Sequence, residues 1–265
     1  MSNQEPAVEE RVVDLALECL YRFLAVALSD PRGERWSEIV KPNNQRLVCD
    51  AASLLQAEAS DVPIPLGMGE LPQDGLDMQA VLDMLNQPLP EVCEAYDRTF
   101  GLVICRECPP YETEYHQSAE ASFRSQQMAD IAGFYRAFGL EEARATPERP
   151  DYLPLELEFM AFLLMKKRLT LVSDESEPEA IEKANICHDA ASKFFRDHLA
   201  WWVPAFATGL RRKAGDGLYA ALASVLASLI PLERRRFGLD LAPTPVTPVL
   251  IERPEGQSGC AACCG

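Results

Sequence analysis

Histidine is scarce in this 265-residue chain: His116, His188 and His198 are the three, and the last two stand ten residues apart, not one helical turn. An HExxH zinc helix is therefore absent, and no GxxxxGK[ST], GxGxxG or GxSxG segment occurs either. A standard nucleotide-dependent or hydrolytic enzyme is disfavoured, and each histidine is expected at the surface or in a structural hydrogen bond. Positive charge is also short. Lys and Arg number 25 against 41 acids, leaving a formal net charge of −16 that repels nucleic acid and anionic lipid at long range. The basic runs Arg211-Arg212-Lys213 and Arg234-Arg235-Arg236 read as solvated helix ends stabilised by the helix dipole. Long apolar runs are missing as well: the longest, 159–165, is stopped by Lys166 and Lys167. The opening "MSNQEPAVEERVVDLALECL" carries acids where a secretory signal needs a basic region, so a cytoplasmic protein without a membrane span is expected. No internal repeat and no convincing period-two alternation is found.

What remains is helical periodicity. Val13, Leu17, Leu20, Leu24 and Ala27 recur three or four apart and predict a buried amphipathic helix over 12–28, stopped by Pro31 and Gly33. Two shorter helices are expected over 47–59 and 75–85, and another from "NQPLPEV" to Phe100. "CPP" at Cys108 to Pro110 forces an extended segment, because proline disfavours the helical conformation in the residue before it. Helical spacing resumes at Met128, Ile131, Tyr135 and Phe138, ends at Gly139, and gives way to a linker, "EEARATPERPD". Leu153, Leu157, Met160 and Leu164 define the most hydrophobic helix, with Glu156 and Glu158 beside the stripe, and 177–202, 204–213 and 217–230 complete the inventory. The expected fold is all-α: one helical-bundle domain over 1–240, and an extended, proline-rich and cysteine-rich tail over 241–265.

The nine cysteines are an odd number, and in a reducing compartment they read as free thiols or metal ligands. Cys19, Cys49, Cys93 and Cys187 fall inside helical patterns as small core residues. "CREC" places Cys105 and Cys108 at CxxC spacing, and "CAACC" supplies a second pair, Cys260 and Cys263, with Cys264 as a spare. A tail spanning about 60 Å at full extension can reach across a domain with a radius of gyration of about 18 Å. Three readings stay open: a four-cysteine metal clip holding zinc or an iron–sulfur cluster, a redox dithiol, and unrelated solvent-facing thiols. The acids clustered over 107–120 and 141–158 are read as a negative field and not as acid–base machinery.

The stretch "CPPYETEY", then "GFYRAFGLEEARATPERPDYLPLELEFMAFLL", and "LYRFLAVALSDP" in the first helix, resemble the TorD-type redox-enzyme maturation chaperones. The resemblance covers most of 10–240 in helix order, with its specific motifs at 109–164. It implies a cytoplasmic helical chaperone, not an enzyme. Such a chaperone binds the catalytic subunit of a dimethyl-sulfoxide-reductase-type molybdoenzyme, often through its twin-arginine signal peptide, and holds it for molybdenum cofactor insertion. By position Pro109, Pro110 and Tyr111 match the family's PPY segment, and Tyr135 and Phe138 its YRAFGL helix. Pro150 and Asp151 match a loop that usually reads Glu-x-Pro-x-Asp-His; here Tyr152 replaces the histidine, and Arg149 intervenes between Glu148 and Pro150. Neither cysteine pair belongs to the general family pattern. A cationic, then apolar, signal peptide suits acids flanking aromatics, so the expected client-binding set is Tyr111, Glu112, Glu114, Tyr135, Phe138, Glu148, Pro150, Asp151 and Tyr152. The competing expectations are a thiol-based redox or metal-donor protein using Cys105 and Cys108, or a scaffold stabilised by a metal.

Overall fold

The segments with a 3.6-residue period are largely helical. A computed structural model of the chain describes residues 5–57, 63–101, 105–116, 121–141, 148–173, 178–243 and 248. Among them are ten α-helices: α1 (Glu5–Ala27), α2 (Trp36–Ile39), α3 (Pro42–Ala57), α4 (Met78–Leu85), α5 (Leu89–Phe100), α6 (Ala121–Ala137), α7 (Leu153–Ser173), α8 (Pro178–Phe194), α9 (Val203–Ala214) and α10 (Leu218–Arg236). No strand occurs among the described residues; an isolated antiparallel bridge joins Tyr111 to Tyr152. None of the described helices is long and apolar enough to cross a membrane.

α7 is the hub. It packs along α1 on one side and α8 on the other, while α10 pairs with α9 and α1 with α3. Leu17, Leu20 and Leu24 of α1 meet Leu153, Leu157, Met160 and Leu164 of α7 in a core continuous with Leu222, Leu226 and Leu229 of α10. Each such side chain contributes about 1.5–3 kcal/mol on leaving water, so the stripes decide the packing. Polar anchors cross the same interface: Lys167 of α7 reaches Asp14 of α1 at 2.9 Å, and Arg168 reaches Glu18 at 3.0 Å.

Several element ends differ from the sequence expectation. α3 starts at Pro42, five residues earlier than the apolar pattern, because proline suits the first helical turn. The 75–85 segment is helical only from Met78, where the Asp77 side chain caps the Ala80 N–H at 3.1 Å. The 177–202 helix ends at Phe194 and continues as a π turn over Phe195–Leu199, with Ala200 N–H donating to Phe195 O at 2.8 Å.

α10 runs six residues past its expected end, through Pro231. Proline cannot donate to Ala227 O, and Leu71 N–H takes that carbonyl instead at 3.1 Å. The run at 234–236 is accordingly not a solvated end. Arg234 is buried against Glu70 at 2.7 Å and Pro65 O at 2.6 Å, and Arg236 pairs with Asp14 and Glu233. Of the expected tail, only 241–243 and 248 lie among the described residues.

Candidate functional site

Two proline-bearing segments close on each other at the entrance to α7. Pro109 and Pro110 keep the chain extended into Tyr111, which sits at φ −133° and ψ 124°. Glu112 N–H donates to Asp151 O at 3.0 Å, and Leu153 N–H donates to Pro110 O at 2.9 Å, zipping 110–113 against 150–153. Side chains lock the zip. The fully buried Asp151 carboxylate accepts from Thr113 N–H at 3.2 Å, from the Thr113 hydroxyl at 2.8 Å and from Arg149 at 2.7 Å. Arg149 also donates to Thr113 Oγ1 at 2.8 Å and Glu114 at 3.3 Å, and its guanidinium lies 4.3 Å from the Tyr111 ring centre. The residue that interrupts the family-like motif is thus the fastener of the clasp.

Behind the clasp the π turn and the residues after it deliver His198 and Trp201 to Glu112. The buried Glu112 carboxylate meets His198 Nδ1 at 3.1 Å and accepts from Trp201 Nε1 at 3.2 Å. Burial pushes this carboxyl above the usual carboxylate range, against the opposing pull of His198. One turn into α7, Glu156 is wholly enclosed, with no hydrogen-bond partner of normal geometry for either oxygen. Burial first, then the Glu112 and Asp151 charges, raises its carboxyl well above the usual range, which favours the neutral acid.

The outward face is aromatic. The Tyr111 and Tyr152 rings lie 5.4 Å apart, and Tyr135 donates its hydroxyl to Pro150 O at 2.9 Å. Phe138 follows through Phe159, 5.8 Å away, with the Lys166 ammonium 5.3 Å from its ring centre. All nine expected client-binding residues therefore belong to this clasp or pack beside it. Their acids are differently disposed. Glu112 and Asp151 face inward, Glu114 is held by Arg124 at 3.1 Å and by Arg149, and Glu148 is exposed near the Tyr111 hydroxyl at 3.4 Å. Sequence reasoning did not select Thr113, Arg149, Glu156, His198 or Trp201. Arg149 stood out as a departure from the family-like motif and Glu156 only as an acid beside the apolar stripe, whereas His198 and Trp201 are more than eighty residues from Glu112 and gave no local signal.

The CREC loop sits three residues before Tyr111. Cys105 Sγ lies 3.6 Å from Cys108 Sγ; Cys105 is half-buried and Cys108 fully buried. The hydrogen bond from Cys108 lowers the Cys105 thiol to about 6, while the same bond and burial raise Cys108. Lys213 of α9 stands over the loop, paired with Glu107 at 2.9 Å. Among the described residues no group of three or more His, Cys, Asp or Glu is arranged to hold a metal. Cys260, Cys263 and Cys264 lie outside the described residues. Cys187 is buried in α8, and Cys19, Cys49 and Cys93 are half-buried on α1, α3 and α5.

Comparison with known proteins bears on this region directly. The family model described as nitrate reductase delta subunit matches residues 71–208, just over half of the chain, including the CREC loop, the clasp and the π turn. The chain is 32% identical over 111 residues to a selenate reductase assembly chaperone protein of Thauera selenatis, covering 42% of this chain and 53% of the relative. It is 31% identical over 111 residues to a chlorate reductase assembly chaperone protein of Ideonella dechloratans, with the same coverage of 42% and 53%. A chaperone protein TorD of Photobacterium profundum is 28% identical over 104 residues, covering 39% of this chain and 44% of the relative. The chain thus spans about half the length of the curated relatives it matches.

Proposed function

This chain belongs to the nitrate reductase delta subunit family, and we propose from that membership that it is a cytoplasmic assembly chaperone, without catalytic turnover, for a dimethyl-sulfoxide-reductase-type molybdoenzyme. It binds the enzyme's catalytic subunit and holds it for molybdenum cofactor insertion; where the client carries a twin-arginine signal peptide, it binds that peptide before export. The observation that carries this reading is the position of the clasp inside the family match, together with the similarity of the chain to relatives named assembly chaperones of selenate and chlorate reductases.

The clasp has the parts such a task needs. Half-buried Tyr111, Tyr152, Tyr135 and Phe138 offer apolar area, and exposed Glu148 offers a carboxylate to a cationic segment. A net charge of −16 draws such a segment in at long range. Glu112, Glu114 and Asp151 serve by holding the loop in shape, since His198, Arg124 and Arg149 already occupy them.

The test is a deletion and a capture in the native cell. Without this chain a molybdoenzyme catalytic subunit should accumulate lacking its molybdenum cofactor, and the tagged chain should co-purify that same subunit. Full cofactor occupancy of every such enzyme in the deletion strain would refute the assignment.

A further inference from the structure

We propose that Cys105 and Cys108 are a reversible dithiol–disulfide pair, a thiol-exchange site for low-molecular-weight disulfides such as glutathione disulfide, set just ahead of the clasp. It is a stoichiometric modification site without turnover, and the inference does not rest on the identity of any client.

Geometry is the first support. The two sulfurs stand 3.6 Å apart, and closing them to a disulfide bond of about 2.05 Å asks for a shift of about 1.5 Å. Side-chain rotation in a loop supplies that. Helix packing fixes one end of the pair: Gly209 of α9 backs the loop so closely that a Cβ there would lie 2.8 Å from Glu107 O and 3.2 Å from Cys108 Cβ. Cys108 is therefore the anchored thiol, and the half-buried Cys105 is the one left to move. Among the described residues no third His, Cys, Asp or Glu joins them to hold a metal, whereas a disulfide needs no third group.

Burial divides the roles. Cys108 is fully enclosed, so an external disulfide does not reach it, while Cys105 is open to solvent on one side. Cys105 is the attacking thiol and Cys108 the resolving one. The Lys213 ammonium, paired with Glu107 at 2.9 Å, lies over the loop and favours a thiolate there. The bond from Cys108 keeps the Cys105 thiol at about 6, and the same bond with burial raises Cys108, so the exposed sulfur ionises first. An attacking thiol that ionises near ambient pH suits disulfide exchange.

The exchange balances in two steps. The Cys105 thiolate attacks one sulfur of the external disulfide; a Cys105–glutathione bond forms, the external sulfur–sulfur bond breaks, and the first glutathione thiolate leaves and takes up the proton that Cys105 released. Cys108 then gives up its proton and attacks Cys105 Sγ, forming the Cys105–Cys108 bond and expelling the second glutathione, which takes that proton. Two protein thiols are oxidised by two electrons, and one glutathione disulfide is reduced to two thiols. Excess dithiol runs the same steps backwards.

The experiment equilibrates the full chain, freed of its affinity tag, anaerobically with glutathione buffers of increasing disulfide fraction. Acid quenching, alkylation and mass mapping then report the state of every cysteine, and far-ultraviolet circular dichroism checks the fold. Wild type is compared with Cys105→Ser, Cys108→Ser and a full-length variant carrying Cys260→Ser, Cys263→Ser and Cys264→Ser together. Wild type and the triple variant should show the same two-electron transition, ending in a Cys105–Cys108 disulfide that dithiothreitol reverses. Cys108→Ser should stop at the mixed disulfide and accumulate glutathione on Cys105, whereas Cys105→Ser should leave Cys108 unmodified with helicity intact. Both thiols staying reduced in excess glutathione disulfide, whether free or held by a metal ion, overturns the proposal. So does a wild-type disulfide that joins either of them to one of the other seven cysteines. Glutathione on Cys108 of a folded Cys105→Ser chain overturns the assigned roles.

Discussion

Arg149 grips Asp151 at 2.7 Å although only Pro150 separates them in sequence, and the guanidinium that does so also lies 4.3 Å from the Tyr111 ring centre. One side chain thereby ties together both segments of the clasp and its aromatic face.

Arg149→Ala should leave the Asp151 carboxylate buried without a cation. Breaking a buried pair costs roughly 3–5 kcal/mol, and about 2–3 kcal/mol is the discounted expectation because Arg149 is partly exposed. Arg149→Lys keeps the charge but not the fork that reaches Asp151, Thr113 and Glu114 together, and should recover less than half of that loss. Urea denaturation reads both; an Arg149→Ala variant within about 0.5 kcal/mol of wild type would discard the fastener role.

Glu156 gives a pH dependence with a definite sign. Its folded carboxyl is raised well above the usual 4.5, so folding takes up a proton at any pH between the two values. Stability from this group is therefore undiminished below about 4.5 and falls as pH rises toward the folded value, by up to ~1.4 kcal/mol per pH unit. Glu156→Gln removes the titration. The stability of the variant relative to wild type should grow as pH rises above about 5, and parallel curves would mean that burial does not hold the proton on Glu156.

Glu148 is the clasp acid free to meet a client cation. Binding of a twin-arginine peptide should weaken as salt rises and the Debye length shrinks below about 8 Å. Glu148→Lys should weaken it further without changing the urea midpoint. The same reversal at Asp151 should instead unfold the clasp, because it would bury a cation beside Arg149. Affinity that is flat with salt and indifferent to Glu148→Lys would move the peptide site elsewhere.

Gly209→Ala opposes two effects of known size. Alanine favours a helix interior by about 1 kcal/mol over glycine, whereas forcing a methyl into a filled space costs about 1–3 kcal/mol. The Cβ would lie 2.8 Å from Glu107 O, so the steric effect should win and the variant should melt below wild type. A higher melting temperature would show that the CREC loop yields easily.

Much was legible before any coordinates. The 3.6-residue spacing of Leu153, Leu157, Met160 and Leu164 and of the Val13 to Ala27 stripe determined α7 and α1, because burial of a periodic face is encoded within one turn of chain. Prolines 109 and 110 determined the extended entry to the clasp for an equally local reason, the clash with the preceding residue. The short α2 carried too few residues to show a period. The ends of α10 and the fate of its arginines were not legible, because they depend on Leu71, Glu70 and Asp14, each more than 150 residues away. The same holds at the clasp. The sequence by itself gathered the acids and aromatics of 111–152 into one neighbourhood; only tertiary packing decided that Glu112 and Asp151 turn inward to His198 and Arg149 while Glu148 stays outside. A charge's identity is local, but whether it faces water or a counter-charge depends on which distant element covers it, and no spacing within a helix or loop encodes that.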